Sequence, residues 1–205
     1  MIISRTPFRV SLFGGGSDYP KWYRENGGAV LGFAINKYCY ISIRPLPPFF
    51  KHRHRIVYSV VENVSEINEI KHPAVRAVLQ DQKIDVGLEI HHDGDLPARS
   101  GLGSSSSFTV GMLNALSAFK GGMIDKRKLA EEAIRIEQQV IGEAVGSQDQ
   151  IWAAFGGINR IDFLKTEEFQ VRPLIIPEKR RQELFDHLLL FFTGFSRFAT
   201  EIAQK

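Results

Sequence analysis

Cysteine is nearly absent. Cys39 is the only one in 205 residues, so the chain can form no internal disulfide and no cysteine-based zinc site, and a reducing compartment suits it best. Long apolar runs are missing too. The longest charge-free stretch, between Arg99 and Lys120, is filled with Ser and Gly in its first half and is no membrane span. The N-terminus, MIISRTPFRV, has two arginines and a proline where a signal peptide would carry its apolar core. A soluble cytoplasmic protein with no membrane partner is expected. Several chemistries are also excluded. No Gly-Lys pair exists, hence no Walker A loop, and no G-x-S-x-G, hence no hydrolase elbow. His91 and His92 are adjacent in a strand and point to opposite faces, so they make no metal pair.

What is there describes a folded domain. Hydrophobic residues make up 43% of the chain, with 15 Phe, too many for disorder. Gly (18) and Pro (9) are too few for a collagen-like or low-complexity chain. Lys and Arg total 26 against 23 Asp and Glu, a net +3 that permits anionic ligands without demanding nucleic acid. The dense basic run Lys51–Arg55 reads as a solvated turn between strands, and no nucleic-acid partner is expected.

Periodicity predicts strands over 9–13, 29–35, 38–43, 56–61 and 86–91, and a helix over 73–80 with Pro at its first turn. It then turns helical. Phe108, Met112, Ala115, Leu116 and Phe119 share one face, and Leu129, Ala133, Ile136 and Val140 share another. Strand-like runs return at 157–163, 169–176 and 188–192, and a helix starts at Ser196. Strands first and helices later give an α+β fold.

Three constellations carry chemistry. The strongest is Pro97-Ala98-Arg99-Ser100-Gly101-Leu102-Gly103-Ser104-Ser105-Ser106-Ser107, leading into the helix at Phe108. Glycines free the backbone so that amides converge on an anion, serines add hydroxyls, and the helix start adds its positive dipole end. Four serines exceed what a helix cap alone requires. The second is Glu137 with Asp149. Glu137 falls in the middle of an apolar helical stripe, where a carboxylate is costly unless a cation, metal or donors meet it. Asp149 opens a short helix that ends at Gly156-Gly157, and a plain helix cap explains it equally well. The third is Arg5–Tyr19, RTPFRVSLFGGGSDY, where Arg9 sits in a strand and Asp18 follows three glycines. Alone it reads as a tight turn capped by Asp.

Together these runs resemble the motifs of the GHMP kinases, the superfamily of galactokinase, homoserine kinase, mevalonate kinase and phosphomevalonate kinase. Pro97–Ser107 resembles the family's P-x-x-x-G-L-G-S-S-A-A loop, Thr6–Tyr19 its galactokinase-type N-terminal run, and the step from Glu137 to Asp149 its second acidic pair. The resemblance implies a two-layer, ribosomal-protein-like N-terminal domain over residues 1–193. It implies ATP phosphates on Gly101, Leu102, Gly103, Ser104, Ser105, Ser106 and Ser107, and Mg²⁺ held by Ser105 (or Ser104) and Glu137. Asp149 would be the base that deprotonates a sugar hydroxyl, next to Arg9. Gly15, Gly16, Asp18 and Tyr19 would line the site of a sugar or sugar phosphate.

Within the superfamily the chain is most similar to the bacterial heptose 7-phosphate kinases, through FRVSLFGGGSDYP, GLGSSSSFTVGMLNAL, residues 146–157 and Leu190–Gly194. The implied reaction is ATP-dependent phosphorylation of the anomeric hydroxyl of D-glycero-D-manno-heptose 7-phosphate. The alternatives are an L-fucose or other anomeric sugar kinase, and a silent nucleotide- or sugar-binding domain. Galactokinase has Glu-His in place of Gly15-Gly16, so their loss opens room for a larger sugar. Arg5, Lys37, Arg44 and the 51–55 run are candidates to grip its phosphate. Residues 194–205 would begin a C-terminal domain that is otherwise absent. The apolar surface meant for that domain leaves room for a homo-oligomer.

Overall fold

Alternation makes Ile2–Phe13 (β1) one long strand, with Ser4, Thr6 and Phe8 buried and Ile3 and Arg5 exposed. The computed structural model describes residues 1–98 and 100–191. β1 pairs antiparallel with Gly28–Pro45 (β2), an 18-residue strand that is the spine of the sheet. The other edge of β2 is shared end to end. Leu88–Gly94 (β5) pairs with residues 39–45 and Ile158–Phe163 (β6) with residues 28–33. His54–Val57 (β3) runs parallel to β5, while Val61–Val64 (β4) and Phe169–Pro173 (β7) form the outer strands of a β4-β3-β5-β2-β6-β7 order.

Six α-helices are found among the described residues: Pro20–Asn26 (α1), Pro73–Asp81 (α2), Ser104–Phe119 (α3), Lys126–Arg135 (α4), Gln148–Phe155 (α5) and Glu178–Asp186 (α6). α3 lies across β1 and β2, where Ser4 Oγ donates to the Gly111 carbonyl at 2.8 Å. The main core joins Ile41, Ile43, Leu88 and Ile90 of the sheet to Val75, Val78 and Leu79 of α2 and Met112 and Leu116 of α3. A second cluster forms around Ile151 and Trp152 of α5 against Val30, Ile161 and Phe163. Each such side chain contributes about 1.5–3 kcal/mol by leaving water. No helix among the described residues is long and apolar enough to cross a membrane.

The α+β layering expected from the sequence is present, with local differences. The two strands expected over 29–35 and 38–43 are one, because a register shift between Pro7 and Arg9 of β1 absorbs the exposed pair Asn36-Lys37. The strand expected over 56–61 is a hairpin, β3 and β4, closed by the Tyr58 amide donating to the Val60 carbonyl. His54 and Arg55 belong to β3, so only the start of the basic run is loop. β7 stops at Pro173, which has no amide for the ladder. Residues 188–191 form no strand, and Phe192, the helix expected from Ser196 and the segment 194–205 lie outside the described residues.

Candidate active site

The serine run does not precede α3; it is the first turn of α3. Gly103 is the N-cap, in the left-handed region at φ 75°, which glycine adopts without strain. The Ser107 amide donates back to the Gly103 carbonyl, so the intrahelical ladder begins there and the amides of the first turn point out of the helix start. Such amides, with the positive end of the helix dipole, make an anion site. Each hydroxyl in the turn has its own direction. Ser107 Oγ donates to the Pro7 carbonyl at 2.8 Å and ties the helix start to β1. Ser106 Oγ donates to Glu137 Oε2 at 2.9 Å. Ser105 is exposed and Ser104 half-buried. Gly101 and Leu102 are held through their carbonyls, which accept from Arg9 Nη1 (2.8 Å) and the Arg9 amide (3.1 Å).

Arg9 also holds Asp149. Its Nε and Nη2 donate to Oδ1 and Oδ2, both at 2.7 Å, a bidentate pair that fixes the carboxylate plane. The pair is half-buried, with side-chain exposures of 13% for Arg9 and 25% for Asp149, so the carboxylate stays reachable. Gly103 packs on this pair. A Cβ there would lie 3.1 Å from Arg9 Cγ and 3.4 Å from Asp149 Oδ2. The glycine-rich loop, the arginine and the candidate base therefore meet at one point.

The residues around Asp149 anchor α5. Gln148 Oε1 accepts from Ser11 Oγ at 2.9 Å, and buried Gln150 donates Nε2 to Glu137 Oε2. Glu137 does not lie on a continuous helix as its periodicity suggested. α4 ends at Arg135, and Ile136–Ile141 winds as a π-helical turn, a rare geometry that often marks functional sites. Only 1% of Glu137 is exposed. Burial pushes its carboxyl up to about 7, against the opposing pull of donors on Thr109, Ser106 and Gln150. Its other oxygen, Oε1, is buried without a hydrogen-bond partner.

That unpartnered acceptor is what a hard cation needs. Mg²⁺ commonly takes one or two protein carboxylates and completes its shell with water and phosphate oxygens. Among the described residues no three His, Cys, Asp or Glu side chains converge on a metal site. One carboxylate beside a serine-rich helix start fits a nucleotide-borne Mg²⁺. Ser106, not Ser105, is the serine whose hydroxyl meets Glu137.

The turn between β1 and α1 completes the site. Space above Gly15 and Gly16 is open. The Tyr19 phenol is pushed up by burial and by the charges of Asp18 and Asp149. Asp18 does not face the open space. Only 1% exposed, its Oδ1 accepts from the Gly16 amide (3.0 Å) and its Oδ2 from the Gln148 amide (3.3 Å). Burial and the Asp149 charge push its carboxyl up, and the amides partly offset them.

The basic residues considered for a substrate phosphate are largely committed elsewhere. Arg44 and Arg55 sit on buried Glu89, Arg53 Nη2 donates to the Asp85 carbonyl, and the Arg5 guanidinium lies over the Tyr38 ring at 4.5 Å. Sequence reasoning missed Gln148 and Gln150. Their signal was faint: two amides flanking an acid at the start of an apolar helix.

Comparison with known proteins places the chain among sugar kinases and their relatives by similarity. Residues 65–157 match the family described as GHMP kinases N terminal domain. The chain is 28% identical, over 99% of its length, to a D-glycero-alpha-D-manno-heptose 7-phosphate kinase of Campylobacter jejuni, covering 62% of that protein. It is 30% identical, over 94% of its length, to a galactokinase of Thermococcus kodakarensis, covering 53% of it. A D-glycero-D-manno-heptose 1-phosphate kinase from Bacteriodes thetaiotaomicron superposes with a TM-score of 0.80 at 28% identity, over 90% of this chain and 63% of that one. The chain thus spans between half and two thirds of the length of these relatives.

Proposed function

We propose that this GHMP kinase N-terminal domain carries the phosphate cradle and the catalytic base of an ATP- and Mg²⁺-dependent sugar kinase whose substrate is D-glycero-D-manno-heptose 7-phosphate. The observation that carries the reading is the contact of Gly103 with the Arg9–Asp149 pair, because it puts a helix-start anion site against a reachable carboxylate. The similarity to heptose phosphate kinases supports the sugar, and the open space above Gly15-Gly16 suits one larger than galactose.

In this reading the run Gly101–Ser107 and the dipole of α3 hold the phosphates of ATP at the start of the helix. Glu137, with a hydroxyl of the serine run, would hold Mg²⁺, which when bound would neutralise phosphate charge. Asp149 accepts the proton of the anomeric hydroxyl. The freed oxygen forms its bond to the γ-phosphorus as the bond to the β-phosphate oxygen breaks and ADP leaves. Arg9 keeps Asp149 aimed through its bidentate bond, and its charge lies where negative charge passes during transfer. Phosphoryl transfer asks little more of a protein than such positioning and charge compensation.

The test is ADP release with Mg·ATP and a panel of heptose 7-phosphate, mannose, L-fucose and galactose. Release with heptose 7-phosphate alone is the expected result. Release only with L-fucose would move the substrate to a second reading, which an L-fucokinase/L-fucose-1-P guanylyltransferase of Bacteroides fragilis, 28% identical over the whole chain, keeps in view. ATP binding without release for any sugar would point to a binding domain.

A further inference from the structure

Asp18 stands in the run that, by resemblance, should line the sugar site, yet its carboxylate has no surface to offer a sugar. It is sealed, with one oxygen on the Gly16 amide and the other on the Gln148 amide, the first residue of α5. The Ser147 amide donates to the Asp18 carbonyl at 3.0 Å, so the backbone of Asp18 holds Ser147 and its side chain the next residue, Gln148. Gly146 completes the fit, since a Cβ there would collide with the carboxylate. The N-cap position itself, Ser147, makes no side-chain cap bond to α5. The cap comes instead from 130 residues earlier in the chain.

We propose that Asp18 is a positioning residue: it caps α5 from the β1–α1 turn and thereby fixes where Asp149 stands, and it takes no substrate hydroxyl. Asp149 is the second residue of α5, one position past the capped amide, so a slip of the helix start moves it directly. A displacement of an ångström or less at a reacting group is enough to cost turnover without touching ground-state binding. The inference rests on the kinase reading for its functional consequence, but the cap itself does not depend on that reading.

Two measurements test it. The first needs no substrate: amide hydrogen exchange at Gln148 in the wild-type chain, Asp18→Asn and Asp18→Ala. The expected result is exchange at least tenfold faster in Asp18→Ala, with Asp18→Asn between, and protection elsewhere in the sheet retained. Unchanged exchange at Gln148 would overturn the cap. The second is steady-state kinetics with Mg·ATP and heptose 7-phosphate, or whichever sugar of the panel is turned over. Asp18→Ala should lower kcat about a hundredfold while the sugar KM stays within threefold, and Gly146→Ala should do the same with Asp18 intact. A sugar KM raised tenfold or more in Asp18→Ala at unchanged kcat would mean that Asp18 binds sugar, and would overturn the proposal. If Asp18→Ala fails to fold, Asp18→Asn decides in both assays. If the wild-type chain turns over no sugar, the kinase reading is what fails, and the exchange at Gln148 still settles the cap.

Discussion

Exchanging Glu137 for Gln should unmask a pH dependence that the wild-type chain conceals. Burial raises the Glu137 carboxyl from 4.5 to about 7. The native state therefore holds a proton that the unfolded state has lost, and this contribution to stability is complete below pH 4.5 and gone above about 7. At about 1.4 kcal/mol per tenfold in proton affinity, the loss is about 3 kcal/mol. His72 works in the opposite sense. Burial, aided by the charge of His92, lowers its imidazole from 6.5 to about 4, so its contribution is complete above pH 6.5 and is lost as pH falls toward 4. That displacement is also worth about 3 kcal/mol. Between about pH 4.5 and 6.5 the two slopes nearly cancel.

Glu137→Gln removes only one of them. Its amide oxygen can still accept from Ser106 and Gln150, and its amino group falls where the partnerless Oε1 stands, at a cost that does not vary with pH. Urea unfolding at half-unit steps from pH 4 to 8, in variant and wild type, isolates the effect, because every other titrating group cancels in the difference. The variant should gain about 3 kcal/mol on the wild type between pH 4.5 and 7.5. A flat difference, or one of opposite sign, would refute the reasoning. Saturating Mg·ATP should stabilise the wild type by about 2.7 kcal/mol at a hundred times its Kd and the variant by much less.

Three further outcomes follow from the same geometry. Asp149→Asn should lower turnover by about 10²–10⁴ with ATP affinity within a few fold, and near-normal ADP release would remove it from the role of base. Gly103→Ala forces a side chain into the left-handed region and against Arg9 Cγ, so it should cost about 1–3 kcal/mol in thermal melting and weaken ATP binding by calorimetry. Trp152→Ala empties the centre of the second core cluster and should cost about 3–5 kcal/mol by urea unfolding.

Much of this arrangement was legible from spacing and residue type. The α+β order, the serine-rich helix start and a buried Glu137 follow from periodicity and from what burial demands of a carboxylate. What escaped has physical causes. β2 looked like two strands because Asn36-Lys37 is polar, and only its pairing with β1 on one edge and with β5 and β6 on the other keeps 18 residues extended. α1 is too short for a period to emerge, although Pro20 at its start and Gly27 at its end were local signals. The π-helical turn leaves no mark in a pattern read at 3.6 residues per turn, since it adds a residue without changing which types are buried.

The same limit separates Asp18 from Asp149. Gln148, Asp149 and Gln150 are consecutive on a helix and therefore diverge by about 100° each. Gln148 turns to Ser11 of β1, Asp149 to Arg9 of β1, and Gln150 to Glu137 of the π-helical turn. Three neighbours thus tie α5 to two different elements, and the direction of Asp149 depends on all three bonds together with the cap from Asp18. Residue type gives away a group that must meet an opposite charge, because Arg9 and Asp149 each need a partner when half-buried. It does not reveal a carboxylate whose partners are main-chain amides, since every residue but proline supplies one. Asp18 and Gln148 belong to that second kind, and only the folded backbone tells a buried cap from a hand held out to a sugar.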